Sequence, residues 1–354
     1  MTSMQAGIQL HLPTYSHVPI PDLIALGKVA KSGGISQIWV TDNLQSRNCF
    51  VVLAALAANI PISLGTAVVV QYFRNPVDVA DSVAAISEIM DGPELSIGLA
   101  RGNPSTPLFV NTVMPVSMLR ETAQCLHQLL AGDEVTFSSY PSLASYFNFN
   151  PSGTFRLNFQ PKTPIRLYCG GNGPRSMAVG GEFMDGLIFG GEFKAVAGTG
   201  RLPSVLRIFD DAARKAGKKD GAPKIAEIKL SVSRDKEAAR SFARNPAGRR
   251  LLNLRRYGYT PEDILRLGVA TEDMDILEKA GQESTSSGQF TQLVTDAMID
   301  AVYVAGEPDY CRERMVEVQE TARENGFQQL MFSELGPDVH ESLKLLCDEI
   351  LPAI

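Results

Sequence analysis

An α/β fold, a closed (β/α)8 barrel with insertions over its C-terminal mouth, is what this 354-residue sequence predicts. Three observations lead there. The run Gly65-Thr66-Ala67-Val68-Val69-Val70 is β-branched and apolar, and Asn75-Pro76 breaks the chain after it. Helically spaced Ala, Val and Ile over Asp78–Met90 then lead to a second apolar run, Leu95–Leu99, completing one strand–helix–strand unit. About eight or nine such strand candidates recur along the chain, which favours a closed barrel over an open doubly wound sheet. The third observation is how that second run ends. Gly98-Leu99-Ala100-Arg101-Gly102 places backbone amides and a cation at a strand's carboxyl end, where parallel α/β folds bind ligands.

Taken in order, Ala6–Leu12 reads as a first strand and Asp22–Ser32 as the helix that Gly33-Gly34 terminates. Gln37–Thr41 is a second strand, and the Ala- and Val-rich Phe50–Ala58 is a buried helix leading to the strand that starts at Ile62. Further strands are expected at Ile165–Cys169, Gly186–Phe189, Glu227–Val232, Ile299–Val304 and Gln328–Phe332, with a closing helix over Val339–Leu351. Two stretches interrupt the alternation, about 103–164 and 234–297. The first holds a helix, Val116–Leu130, then a segment rich in Ser, Tyr, Phe and Asn; the second holds helical pieces and the flexible-looking Gly281–Ser287. Loops of that length in compact folds act as lids or binding loops. The whole chain, 1–354, reads as one barrel domain.

Composition narrows the function classes. A net charge of −6 argues against nucleic acid, which demands clustered cations. The one basic concentration, Arg249, Arg250, Arg255 and Arg256, reads as a solvated helix face. Five scattered cysteines lack zinc or disulfide spacing and fit reduced thiols, so no metal is expected. No secretory signal or membrane-spanning run is visible, and a soluble cytoplasmic protein is the expectation.

Two clusters of residues can bind a ligand. Arg101, with Gly102 beside it, is the best cofactor-binding residue, able to offer a guanidinium fork to a phosphate; the alternative is pairing with a rim carboxylate. Gly170-Gly171-Asn172-Gly173-Pro174, then Arg175 and Ser176, reads as a glycine-rich turn into a helix with Pro174 at its first position. The free amides there and Ser176 suit a phosphate; a plain strand-to-helix turn has the same composition. His11, at the mouth of the first strand, is the histidine best placed for proton exchange, and a purely structural role suits it as well. Tyr15, Tyr72 and Arg74 fall in neighbouring loops, and the aromatic stretch Tyr140–Phe149 hints at an apolar ligand or a packed lid.

These motifs resemble bacterial luciferase, the luciferase-like flavin monooxygenases and their deazaflavin-dependent relatives, the methylene-tetrahydromethanopterin reductases. Besides Gly-Thr-Ala-Val-Val-Val…Asn-Pro-Val and Gly-Leu-Ala-Arg-Gly, the resemblance rests on four further stretches. These are Trp39-Val40-Thr41-Asp42-Asn43, Gly173-Pro174-Arg175-Ser176-Met177 with Gly181-Glu182-Phe183-Met184-Asp185-Gly186, Val304-Ala305-Gly306-Glu307-Pro308 and Gly336-Pro337-Asp338. It implies that Arg101 holds the cofactor phosphate and that the Gly170–Ser176 turn cradles the cofactor. It also implies a non-proline cis peptide between Ala67 and Val68, forming a bulge under the flavin. At the positions where the family carries a histidine and a first-strand acid, this chain has Asn43 and Gln9, with His11 as the candidate substitute.

The function so implied is a two-component monooxygenase. It would take reduced FMN from a separate flavin reductase and, with O2, oxygenate a small organic substrate. The alternative is a deazaflavin-dependent oxidoreductase that transfers hydride, for which a basic outer groove is expected around the longer cofactor tail. A non-catalytic flavin-binding protein is a third reading. Homodimerisation through the helices beside the second and third strands is also implied.

Overall fold

Eight short runs of branched and apolar residues form the staves of a closed, all-parallel barrel. The computed structural model describes residues 4–103, 106–218, 221–283 and 286–354. Ser284 and Thr285 of the expected flexible stretch, and Pro104 and Ser105 of the first interruption, lie outside the described residues. The barrel strands are β1 (Gln5–Leu10), β2 (Gln37–Val40), β3 (Ser63–Val70), β4 (Leu95–Ala100), β5 (Ile165–Cys169), β6 (Gly186–Phe189), β7 (Lys224–Val232) and β8 (Gln329–Ser333). Each pairs with its successor, and β8 returns to β1 in the register Gln329↔Gln5, so the sheet has no free edge.

Helices cover the outside: α1 (Ile20–Ser32), α2 (Cys49–Ala57), α3 (Pro76–Ile89), α4 (Pro115–Ala131), α5 (Pro174–Phe183), α6 (Leu202–Lys215), α7 (Lys236–Arg256), α8 (Pro308–Glu324) and α9 (Val339–Leu345). Their starts follow local chemistry. Asn75 caps α3 by accepting from the Asp78 amide at 2.9 Å, with Pro76 in the first turn. The main apolar core fills the layer between sheet and helices. A smaller one, Trp39, Ala67, Tyr168, Ile188, Ile225 and Met331, fills the barrel interior. Trp39 stands on Gly65, where a Cβ would lie 2.6 Å from its ring, and its Nε1 donates to Gln329 Oε1 at 2.9 Å. Among the described residues no helix is long and apolar enough to cross a membrane.

Two expected elements differ. Ile299–Val304 is not a strand. Thr295 caps a helix over Asp296–Val302, whose Met298, Ile299, Ala301 and Val302 are buried at helical spacing, and only Val304–Gly306 then runs beside β7. The short apolar run alone could not separate the two alternatives. The closing helix stays α-helical only to Leu345 and widens into a π turn over Leu346–Ile350. The segment between β4 and β5 contains α4, the 7-residue helix Pro141–Phe147, and an antiparallel pair, Val135–Thr136 with Thr154–Phe155. The segment after β7 is α7 followed by three short helices, Pro261–Arg266, Thr271–Gln282 and Ser287–Gln292.

Candidate active site

A cavity of about 330 Å3 opens at the carboxyl ends of the strands, and residues in or after β1 to β7 form its wall. Gln9 and His11 enter from β1, Asn43 after β2, and Ala67 and Val68 from β3. Arg101 and Gly102 follow β4, and Gly170, Gly171, Asn172, Gly173 and Ser176 follow β5. Pro174 opens α5 on its exposed side, and Arg175 is exposed, so these two residues of the predicted turn do not reach the cavity.

The Ala67–Val68 peptide is cis, and the β3–β4 register shifts between Thr66 and Val69. That bulge delivers Val68 to the cavity, and two glycines leave it room: a Cβ on Gly170 would lie 2.3 Å from Val68 Cγ1, and one on Gly98 2.9 Å away. Gln9 donates through Nε2 to the Ala67 carbonyl at 2.9 Å. Its Oε1 is buried, with no partner among the described residues, at the edge of the same cavity. An acceptor left over in this way suits a ligand N–H.

On the opposite wall Gly173 opens α5 without a side-chain cap, Ser176 is buried at the helix start, and Arg101 Nη2 stands 3.5 Å from where a Gly173 Cβ would be. Among the described residues no carboxylate pairs with Arg101, so the rim ion pair is not formed. Free amides at a helix N-terminus beside an unpaired guanidinium make an anion cradle. Asn172 has a different task. Its Oδ1 accepts from Gly190 N at 3.0 Å and its Nδ2 donates to Glu192 Oε2 at 2.7 Å, so it ties the loop after β5 to the loop after β6.

Asp42 is buried and taken up by Arg74, whose Nη2 lies 2.8 Å away and whose Nε reaches both carboxylate oxygens at 3.1 Å. Asn43 Oδ1 accepts from the Gln45 amide at 2.9 Å, which leaves its Nδ2 as the free end. Tyr15, Tyr72 and Arg74 do not line the cavity. Tyr15 is in the core, and the Tyr72 hydroxyl donates to the Val113 carbonyl at 2.9 Å. Nor does the stretch Tyr140–Phe149 line it: Phe137 and Phe149 stack at 4.4 Å, and Tyr146 meets Tyr72 and Phe147 edge-on.

The base of the cavity holds a group of ionised side chains that was not singled out from the sequence. Lys229, with no side-chain exposure, lies 2.8 Å from Glu227 and 3.1 Å from Glu334. Ser333 Oγ donates to Glu227 at 2.9 Å, and the Tyr303 hydroxyl donates to Glu334. His11 Nδ1 is 2.6 Å from Thr14 Oγ1 and 3.6 Å from Glu334. Burial pushes the His11 imidazolium down to about 4, against the pull of Glu334. Burial would raise the Glu334 carboxyl, but Lys229, His11 and Arg250 hold it well below the carboxylate range.

Arg250 corrects the solvated-face reading of the basic run. It reaches from α7 into the cavity wall and pairs with the buried Glu192 at 3.1 Å, while Arg249 lies over the Phe290 ring at 3.9 Å and Arg255 pairs with Glu278. A signal for the base of the cavity did exist. In Glu227-Ile228-Lys229-Leu230-Ser231, polar residues alternate with apolar ones, which puts three polar side chains on one face of a buried strand.

Comparison with known proteins bears on this arrangement. A family model described as luciferase-like monooxygenase matches residues 2–325. The 5,10-methylenetetrahydromethanopterin reductase of Archaeoglobus fulgidus is 26% identical over 343 residues, covering 92% of this chain and 94% of that protein. Among solved structures, the coenzyme F420-dependent tetrahydromethanopterin reductase of Methanopyrus kandleri superposes with a TM-score of 0.78 at 21% identity, over 99% of both chains. The FMN-bound oxygenating constituent of 3,6-diketocamphane monooxygenase from Pseudomonas putida does so with a TM-score of 0.62 at 16% identity, again over 99% of both.

Proposed function

The chain belongs to the luciferase-like monooxygenase family, and from that premise we propose that it is a deazaflavin-dependent oxidoreductase transferring hydride to or from a small substrate. The observation that carries this reading is the charge at the mouth. Arg101 and Arg250 both line the cavity, Arg250 paired with the buried Glu192 and Arg101 with no carboxylate partner among the described residues. An unpaired guanidinium at the mouth suits the phosphodiester of a deazaflavin tail. The methanopterin reductase likeness over nearly the whole chain supports the same choice.

The residues present fit such a cofactor. Gln9 Oε1 is an unmatched buried acceptor, and glycines at 98 and 170 keep the floor beside Val68 open. Arg101, the α5 amides and Ser176 would hold the phosphate, and Val68 would support the ring system. When bound, the deazaflavin supplies the hydride chemistry. The chain contributes orientation through the bulge and an Asn43 amide at the rim, with Arg250 and Tyr257 lining the mouth. The exposed Val29, Val51 and Ile89 on α1, α2 and α3 support a homodimer formed on that side, which light scattering would read as twice the chain mass.

The second reading, a two-component monooxygenase using reduced FMN from a separate reductase, draws on the Arg101 cradle, which is sufficient for one phosphate, and on the likeness to the FMN-bound monooxygenase. Anaerobic titration separates the two. Coenzyme F420 binding tighter than FMN, and weakened about 10- to 100-fold in Arg101→Ala, supports the deazaflavin reading. Binding of FMN with none of F420 overturns it. Methylene-tetrahydromethanopterin is the first substrate to test with the reduced cofactor.

A further inference from the structure

We propose that His11 exchanges the substrate proton through Nε2 and that Glu334 is the positioning residue that keeps that nitrogen unprotonated; the proposal rests on the hydride-transfer reading. Two oxygens stand on one edge of the imidazole, both against Nδ1: Thr14 Oγ1 at 2.6 Å, which can accept or donate, and Glu334 Oε1 at 3.6 Å, which can only accept. The carboxylate favours the proton of a neutral histidine on the nitrogen that faces it, with Thr14 accepting as well, so the lone pair is assigned to Nε2. His11 lines the cavity, and Nε2 is the ring nitrogen that Thr14 and Glu334 leave open.

Glu334 is unusual in two ways at once. It is buried, and it adopts a left-handed backbone with φ of 54°, which is uncommon for a residue with a side chain. That turn, directly after β8, aims its carboxylate inward at Lys229 and His11. Uncommon backbone at a buried charge points to a role beyond packing.

The charge count supports the same assignment. Four ionisable side chains run in series, Glu227, Lys229, Glu334 and His11, and the first and last line the cavity. Two carboxylates and one ammonium leave this series one positive charge short, while Glu192 and Arg250 beside it neutralise each other. A proton taken up by His11 fills the deficit. The groups facing His11 are Glu334 after β8, Lys229 and Glu227 on β7, and Arg250 on α7. Burial keeps the free imidazole neutral, and Glu334 stands ready to stabilise the imidazolium once it forms.

The chemistry balances as follows. In the oxidative direction a substrate N–CH3 beside an N–H loses a hydride, with its bonding pair, from the methyl carbon to the oxidised cofactor. The N–H proton passes to His11 Nε2 and its bonding pair closes the second C–N bond, leaving N–CH2–N and an imidazolium beside Glu334. Reduction reverses both transfers. A general base so placed contributes about 10²- to 10⁴-fold to rate.

Nitrogen-15 NMR of the histidine side chains tests the assignment on the full chain, with the His11 signal identified by its absence in His11→Gln. The expected result at neutral pH is a neutral His11 protonated at Nδ1, with Glu334→Gln moving the proton to Nε2. In turnover with methylene-tetrahydromethanopterin and reduced coenzyme F420, Glu334→Gln lowers kcat about 100-fold and leaves KM within about threefold, and Glu334→Asp recovers part of the loss. A wild-type His11 protonated at Nε2 overturns the proposal, and it does so even if Glu334→Gln fails to fold. Failure of the wild type to bind F420 overturns the hydride-transfer reading instead, while the tautomer result still stands or falls by itself.

Discussion

At the scale of single residues, His11 couples the site to stability. Its folded imidazolium is pushed down to about 4 from 6.5 by burial, so the unfolded chain binds its proton first as the pH drops. Stability is therefore full above about pH 6.5 and is lost as the pH falls toward 4. The expected loss between pH 7 and 5 is about 1 to 2 kcal/mol, and His11→Gln should flatten that slope in urea unfolding. An unchanged slope would mean that other groups set the acid limb. Residues of this kind were only half legible in the sequence. His11, Gln9, Arg101 and the Gly170–Gly173 turn stood at strand ends, where the fold class alone directs attention. Glu334, although it directly follows β8, and Arg250 were not singled out. The first owes its place to one left-handed residue after β8, and the second sits in a basic run that reads as solvated until Glu192 is placed opposite it.

At the scale of elements, α5 is held by what it lacks. A Cβ on Gly181 would lie 2.3 Å from the Phe209 carbonyl oxygen, and one on Gly180 2.3 Å from Cys169 Cβ, so these glycines let α5 seat against α6 and β5. Gly181→Ala should destabilise by about 1 to 3 kcal/mol in thermal unfolding, although alanine favours helix by about 1 kcal/mol. Because α5 also presents the amides of the proposed anion cradle, cofactor affinity should fall with it; retained affinity would detach the cradle from this packing. Strand positions were largely legible, with Ile165–Cys169 and Gly186–Phe189 matching in full, because buried parallel strands are continuous apolar runs. Ile299–Val304 was not, since the same residues satisfy helical spacing and the Thr295 cap decides the outcome.

At the scale of the whole molecule, the closed sheet and its helical coat leave all five cysteines buried and free. Burial pushes the Cys125 and Cys169 thiols up to about 12, which removes the thiolate that reagents attack. Ellman's reagent should find fewer than one fast thiol in the native protein and five in denaturant; a fast native thiol would reveal an opening in the coat. The cavity wall has a different logic from the coat. One amide, Asn172, and one carboxylate, Glu192, join the loops after β5 and β6 to α7 through Arg250. For anyone remodelling this enzyme by directed evolution, those positions form an epistatic block. Libraries that randomise the long segment after β7 while Glu192 stays fixed will mostly sample unpaired buried charges, so charge-swapped or paired-neutral combinations at 192 and 250 are the productive starting points.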